Sequence, residues 1–262
     1  MKACRFAPIL AAVGVCAAAG ALAQETRLNL TSLSPAGSPN SQFFNAWAKR
    51  VSEESKGALR IDVRDGATLA NFGNSFDRTM DDVVQIGWVQ HPFVAGRFPL
   101  TEIAGLPFTS DDNVKCSTAL WRLYKSGVVD AEYKDVVPLW FGCLGQSGVH
   151  FAKTPASNNE FPGLKFRVNG KAPSQIVELF GGTPISMAAE NMYESLQRGT
   201  IDGLITSWSA FEPYKLQEVT AYHIEAPLGA TPSMFFMARK KFDALPRSEE
   251  HTSELQSLAY LV

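Results

Sequence analysis

Between Thr26 and Leu33 the chain alternates, with Leu28, Leu30 and Ser32 on one side and Asn29 and Thr31 on the other, which is the two-residue period of a strand. Ser34-Pro35-Ala36-Gly37 reads as a loop. Ser38-Pro39 then supplies an N-cap and a first-turn proline for a helix whose Phe43, Phe44, Trp47 and Val51 share one face, and Gly57 ends it. Leu59, Ile61 and Val63 alternate with Arg60, Asp62 and Arg64. Strand, helix and strand in that order predict a βαβ unit with parallel strands. The pattern continues with a helix over 74–82 and a short apolar run, Val83 to Val89, that predicts a buried strand ending near His91. Phe98 to Phe108 reads as a loop anchored by aromatics, Asp111-Asp112 opens a helix bearing Leu120, Leu123 and Tyr124, and Val136 to Phe141 predicts a further strand.

After Gly145 the order begins again. Val149 to Ala152 is apolar, Pro155 to Pro162 is a polar loop, and Leu164 to Val168 alternates as a strand. A helix starting at Pro173 and closing at Gly181-Gly182, a second from Met187 to Arg198 capped by Gly199, and a strand over Ile201–Ile205 complete this unit. Ala226-Pro227 to Pro232 is a loop, and Met234 to Met237 predicts a strand returning to the first sheet. The expected fold class is α/β: two lobes joined by crossing strands, with residues 24–145 as lobe I, 146–228 as lobe II and 229–246 returning to lobe I. Ligands of open α/β sheets sit at the carboxyl ends of the strands.

The two ends of the chain differ from this body. Lys2 and Arg5 precede an apolar, alanine-rich run closing on Ala21-Leu22-Ala23, the layout of a cleavable secretory signal over residues 1–23. A membrane anchor is the alternative, but the run is short for a bilayer and small residues close it. Val15 stands where a lipoprotein signal before Cys16 would want a small residue. Residues 247–262 break with what precedes them: Arg247 to Ser257 resembles the in-frame translation of a sequencing adapter, so this tail reads as foreign and the fold as truncated after Pro246.

Composition narrows the function classes. With 45% hydrophobic and 19% charged residues the chain is an ordinary globular sequence, and a formal charge of −2, more negative by two once Lys2 and Arg5 leave, gives nucleic acid no basic surface to track. Cys4 and Cys16 leave with the signal. Cys116 and Cys143 remain, too few for a disulfide-built scaffold, and the sequence leaves open whether they pair.

Catalytic patterns fail one by one. Gly145-Gln146-Ser147-Gly148-Val149 has Val149 where the nucleophile elbow G-x-S-x-G requires glycine. Neither G-x-G-x-x-G nor a phosphate-binding loop occurs, and His91, His150 and His223 lack ligand-like spacing, so no cofactor and no metal are expected. Arg167 stands out instead. It shares a strand face with Lys165, opposite Phe166 and Val168, and it ends a strand where a guanidinium fork can hold a carboxylate through two parallel hydrogen bonds. A solvent-exposed, salt-bridging arginine is the alternative. Trp88 and Trp208 each follow a strand of a different lobe and are the aromatics best placed for a ligand, with Thr206 and Ser207 near by. Met187, Met192, Tyr193 and Leu196 have ordinary core spacing.

Gly163-Leu164-Lys165-Phe166-Arg167, Gly182-Thr183-Pro184 and Tyr193-Glu194-Ser195-Leu196-Gln197-Arg198-Gly199-Thr200-Ile201-Asp202-Gly203 together resemble the solute-binding subunits of tripartite ATP-independent periplasmic (TRAP) transporters. The resemblance extends from Glu25 to Pro246, through Lys56-Gly57, Phe98-Pro99-Leu100, Leu106-Pro107-Phe108 and Leu245-Pro246. It implies a bilobed periplasmic binding protein with two mixed sheets flanked by helices. Such a protein is a monomer and not an enzyme; it captures a small organic acid and delivers it to the sodium-driven TRAP permease. It also implies that Arg167 receives the ligand carboxylate. Ala189 stands where an aromatic is common, Thr206 where an asparagine contacts ligand, and His150 where some members carry a second arginine. These departures argue against sialic acid and against a dicarboxylate, leaving a monocarboxylate, aromatic or hydroxylated, as the expectation. An extracytoplasmic sensing domain is the alternative function, and a secreted hydrolase a more distant one.

Overall fold

The computed structural model describes residues 25–94 and 96–245. The signal-peptide and foreign-tail expectations fall on residues outside that range. Strand β1 (Thr26–Thr31) pairs in parallel with β2 (Leu59–Arg64), Leu30 opposite Val63, and helix α1 (Pro39–Glu54) makes the crossover. Ser38 Oγ accepts the Ser41 amide at 3.3 Å, satisfying one of the helix's free donors, while Phe44, Trp47 and Val51 turn the apolar face inward. The βαβ expectation therefore holds.

A single parallel bridge from Leu30 to Ile86 joins this pair to β3 (Gly87–Gln90), which follows helix α2 (Ser75–Met80). The run Val83–Val89 is only partly strand. Asp82 has left-handed backbone (φ 59°), Val83 is exposed, and after the Ile86 bridge the ladder to β10 runs from Gly87 to Gln90. Strand β10 (Thr231–Ala238) lies between β3 and β4 (Val136–Leu144), antiparallel to both, with Phe235 opposite Trp88 on one side and Trp140 on the other. Helices α3 (Pro99–Glu102), α4 (Asn113–Lys125) and α5 (Asp130–Tyr133) connect β3 to β4. Cys116 of α4 is bonded to Cys143 of β4, Cα to Cα 5.9 Å, which answers the question the sequence left open.

The second sheet has the order β7 (Thr183–Ser186), β6 (Lys165–Val168), β8 (Gly203–Ser207), β5 (Ser147–Phe151), β9 (Tyr222–Ile224). β6 is parallel to β7 and β8, whereas β5 is antiparallel to β8 and β9, so this sheet is mixed like the first. Helix α6 (Lys171–Leu179) begins two residues before Pro173, and α7 (Met192–Gln197) is shorter than the span Met187–Arg198 because a 3-10 turn over Ala189–Asn191 precedes it. β7 falls where the sequence reads as a connection between helices. It has four residues at a sheet edge, and Pro184 is tolerated there because the edge leaves its missing N–H unneeded. Helix α8 (Phe211–Tyr214) follows β8, and α9 (Arg239–Asp243) follows β10.

Two chain segments cross between the sheets side by side: Gly145-Gln146, from β4 to β5, and residues 225–230, from β9 to β10. They are hydrogen-bonded to each other, Ser147 N to Gly229 O at 2.9 Å and Gly229 N to Gln146 Oε1 at 3.2 Å. Gly229 has φ 100°, and a Cβ there would lie 2.1 Å from Gly105 O, so only glycine fits. One buried cluster runs from Leu28, Phe44 and Trp88 to Ala189, Met192 and Leu204, packing elements of both sheets into one core.

The Cys116–Cys143 bond closes a loop with a sequence separation of 27, for which chain-entropy reasoning gives about 3–4 kcal/mol. Urea unfolding under reducing conditions should show a loss of that size relative to the oxidised protein, whereas superimposable curves would show that the bond constrains nothing.

Candidate functional site

Arg167 is in the middle of the second sheet, between β7 and β8, paired with Ile185 and Leu204. Alternation along β6 leaves Lys165 exposed and sends Phe166 into the core of one face; Arg167 is 3% exposed on the other. Its Nε donates to Met187 O at 3.1 Å, which orients the guanidinium plane. Among the described residues no carboxylate lies within ion-pairing distance, so the salt-bridged surface arginine considered above is not what the fold contains. Burial lowers its pKa to about 10, opposed by Tyr214 and Glu190, and the group still carries its charge at neutral pH. A buried cation with no counter-ion is costly, and the arrangement gains most from an anion supplied from outside.

The side chain lines a cavity of about 80 Å³ between the sheets. Trp88, Ala189 and Thr206 line it too, so the structure brings four of the six sequence-selected residues together. Phe72, Trp88 and Met192 supply buried apolar wall, and Trp88 is held by ring contacts to Phe44 and Phe72, at 5.6 and 5.8 Å between centroids. The small side chain of Ala189 keeps the volume open. Thr206 and Ser207, at the end of β8, and Gln90, at the end of β3, place polar groups at the carboxyl ends of strands, as open α/β sheets do.

His150 and Trp208 stand outside this lining. His150, fully buried in β5, contacts Thr206 O through Nε2 at 3.1 Å and His223 Nδ1 through Nδ1 at 3.0 Å. A carbonyl can only accept, so the neutral imidazole carries its proton on Nε2 and accepts at Nδ1 from His223. Trp208 is 45% exposed and packs over the pair, 4.8 Å from His150 and 4.9 Å from His223 between ring centroids. Both residues back the strand that carries Thr206. For His150 the physical reason is the sheet order, since β5 is two strands from β6, beyond the reach of the Arg167 fork; Trp208 follows β8 and turns onto the histidine pair.

Ser34, Gln90, Asn169 and Tyr214 are among the polar lining residues that escaped the sequence reading. Gln90 ends β3, Asn169 directly follows β6 and Ser34 lies three residues past β1, so all three belong to strand ends like Arg167. Tyr214 had no such signal, since it arrives on α8. Burial, then Glu190, pushes its phenol up to about 12 while Arg167 pulls it down, so it stays a hydrogen-bond donor facing the arginine's field. Among the described residues no group of three or more His, Cys, Asp or Glu side chains is arranged to hold a metal, and no helix is long and apolar enough to cross a membrane.

Two sheets, two crossing segments and a cationic cleft between them define a solute receptor of the periplasmic-binding type. The sequence profile of the bacterial extracellular solute-binding proteins, family 7, matches residues 31–255, and the chain belongs to that family, the solute-binding proteins of TRAP transporters. It is a family of binding proteins, not of enzymes. A marine metagenome TRAP solute-binding protein specific for aromatic acid ligands, solved with 3-hydroxybenzoate, superposes with a TM-score of 0.82 at 26% identity, covering 90% of this chain and 75% of that one. A TRAP periplasmic solute-binding protein from Bordetella bronchiseptica with bound (R)- and (S)-mandelate gives 0.79 at 25% identity, covering 89% and 75%. A solute-binding protein of Chromohalobacter salexigens is 22% identical over 222 residues, 82% of this chain, and the chain spans 65% of that relative's length.

Burial holds His91 and His150 at pKa values of about 4, well below the ordinary 6.5. Above pH about 6.5 both folded and unfolded chains keep them neutral. Between about 6.5 and 4 the unfolded chain takes up two protons that the folded chain refuses, so stability falls with pH at up to about 2.7 kcal/mol per pH unit. Urea titrations from pH 7 to 4.5 should trace that slope, and a level profile would contradict the buried, neutral state of both rings.

Proposed function

We propose that this chain is an exported periplasmic receptor that closes on a small aromatic monocarboxylate and delivers it to the membrane permease of a TRAP transporter. The observation that carries the reading is Arg167: a buried, charged guanidinium in an apolar cavity, with no acid of its own. Two charge-assisted hydrogen bonds to a carboxylate at about 1.5–3 kcal/mol each are enough to make that contact dominate affinity. Arg167 is the one cation among the described lining residues, which favours one carboxylate over two. Phe72, Trp88 and Met192 favour an aromatic or otherwise apolar remainder, and Ala189 makes room for it.

Two of the similar structures support the same class, since 3-hydroxybenzoate and mandelate are aromatic monocarboxylates, while others hold pyroglutamic acid and L-malate. On this reading residues 24–145 and 229–246 form one lobe, 146–228 the other, and the crossing segments are the hinge. The Cys116–Cys143 bond fits an oxidising compartment such as the periplasm.

Calorimetry with benzoate tests the reading. Benzoate should bind, benzamide, which keeps the ring and loses the charge, should not, and Arg167→Ala should lower benzoate affinity at least about 100-fold, as the loss of two such bonds requires. Binding of benzamide as tight as benzoate would overturn the carboxylate assignment. Ala189→Phe adds a ring to the cavity and should weaken benzoate at least tenfold with little change in Tm; unaltered affinity would remove Ala189 from the site.

A further inference from the structure

Beyond Asn169 and Thr231 lies a second, larger cavity of about 300 Å³. These two residues line both cavities, and Asn169 Nδ2 donates to Thr231 Oγ1 at 3.4 Å, so their contact is the partition between them. The second cavity draws its walls from both sides of the cleft: Glu102 and Ile103 follow β3 at the end of α3, and Lys171 follows β6 at the start of α6. Glu102 and Lys171 are the charged side chains among the described lining residues. They have opposite signs and come from opposite walls, yet no ion pair within 4.0 Å joins them.

Glu102 is short of partners. Its Oε1 is buried without a hydrogen bond, and the neighbouring Glu132 is a carboxylate with no donor to give, its oxygens accepting from Leu100 N, Thr101 N and Thr101 Oγ1. Burial, and next the Glu132 charge, push the Glu102 carboxyl above its ordinary range, while Lys171 acts in the opposite direction across the gap. A carboxylate and an ammonium that do not pair with each other thus line one cavity, together with aliphatic Ile103, Pro173 and Leu228. Such a chamber is complementary to a molecule that carries both charges itself.

We propose that this chamber is a second small-molecule site for a zwitterion of the amino-acid class, its ammonium on Glu102, its carboxylate on Lys171 and its methylenes against Ile103, Pro173 and Leu228. The site is separate from the Arg167 cavity and does not depend on what that cavity binds. An unbranched series of ω-amino acids, glycine to 6-aminohexanoate, measures the span between the two charges by chain length. Saturation-transfer NMR and calorimetry on the wild-type protein should find a preferred length. Glu102→Gln and Lys171→Met should each weaken that compound at least tenfold. Arg167→Ala should leave it unchanged, with benzoate as the independent report on the other cavity. Absence of binding across the series, binding indifferent to Glu102→Gln, or binding lost in Arg167→Ala would overturn the proposal, whatever benzoate does.

Discussion

A charged guanidinium held at 3% exposure with no carboxylate beside it is the constraint on which the site depends. In water that charge is solvated; inside the protein it has the Met187 carbonyl on Nε and the fields of Tyr214 and Glu190. On the proposed function, an incoming anion relieves the electrostatic cost of this buried charge, and the relief becomes binding energy. The proposed role also makes the cavity selective. A neutral molecule of the right shape would leave the charge unmet, and a second carboxylate would find no second cation among the described lining residues.

The rest of the architecture places that charge. β6 lies between β7 and β8, which fixes the backbone of Arg167 on both sides, while Met187, arriving after β7, fixes the plane of the fork. The facing wall comes from the first sheet through Trp88, locked between Phe44, Phe72 and the Phe235 strand. Gly145-Gln146 and residues 225–230 are the two described connections between the sheets, and their mutual hydrogen bonds keep them in step. Gly229 shows how tight this junction is, since no side chain fits between it and Gly105.

Much of this was legible in the sequence, for reasons that can be assigned residue by residue. The βαβ start is written in the periods of Leu28-Leu30, Phe44-Trp47-Val51 and Ile61-Val63, and Arg167 is marked by its place at a strand end, on the face opposite Phe166 and Val168. β7 was not legible because a four-residue edge strand with a proline has no period to detect. β3 was displaced because Val83 and Val84 are apolar for different reasons, one exposed at a turn and one buried. His150 and Trp208 pointed toward the ligand in the sequence, yet strand order puts His150 behind Thr206, and Trp208 turns after β8 to pack on His150 and His223: lateral position in a sheet is set by long-range pairing, which no local pattern encodes. Tyr214 shows the converse, a cavity residue delivered by a short helix with nothing local to announce it.

The account stands on the claim that the two terminal amino groups of Arg167 receive the ligand's carboxylate. Nitrogen-15 NMR of the arginine side chains, recorded while benzoate is added, reads those groups directly. The Nη resonances of Arg167, identified by their loss in Arg167→Lys, should shift and sharpen as bond rotation slows on saturation with benzoate. Saturable benzoate binding that leaves the Arg167 Nη resonances unmoved would contradict it.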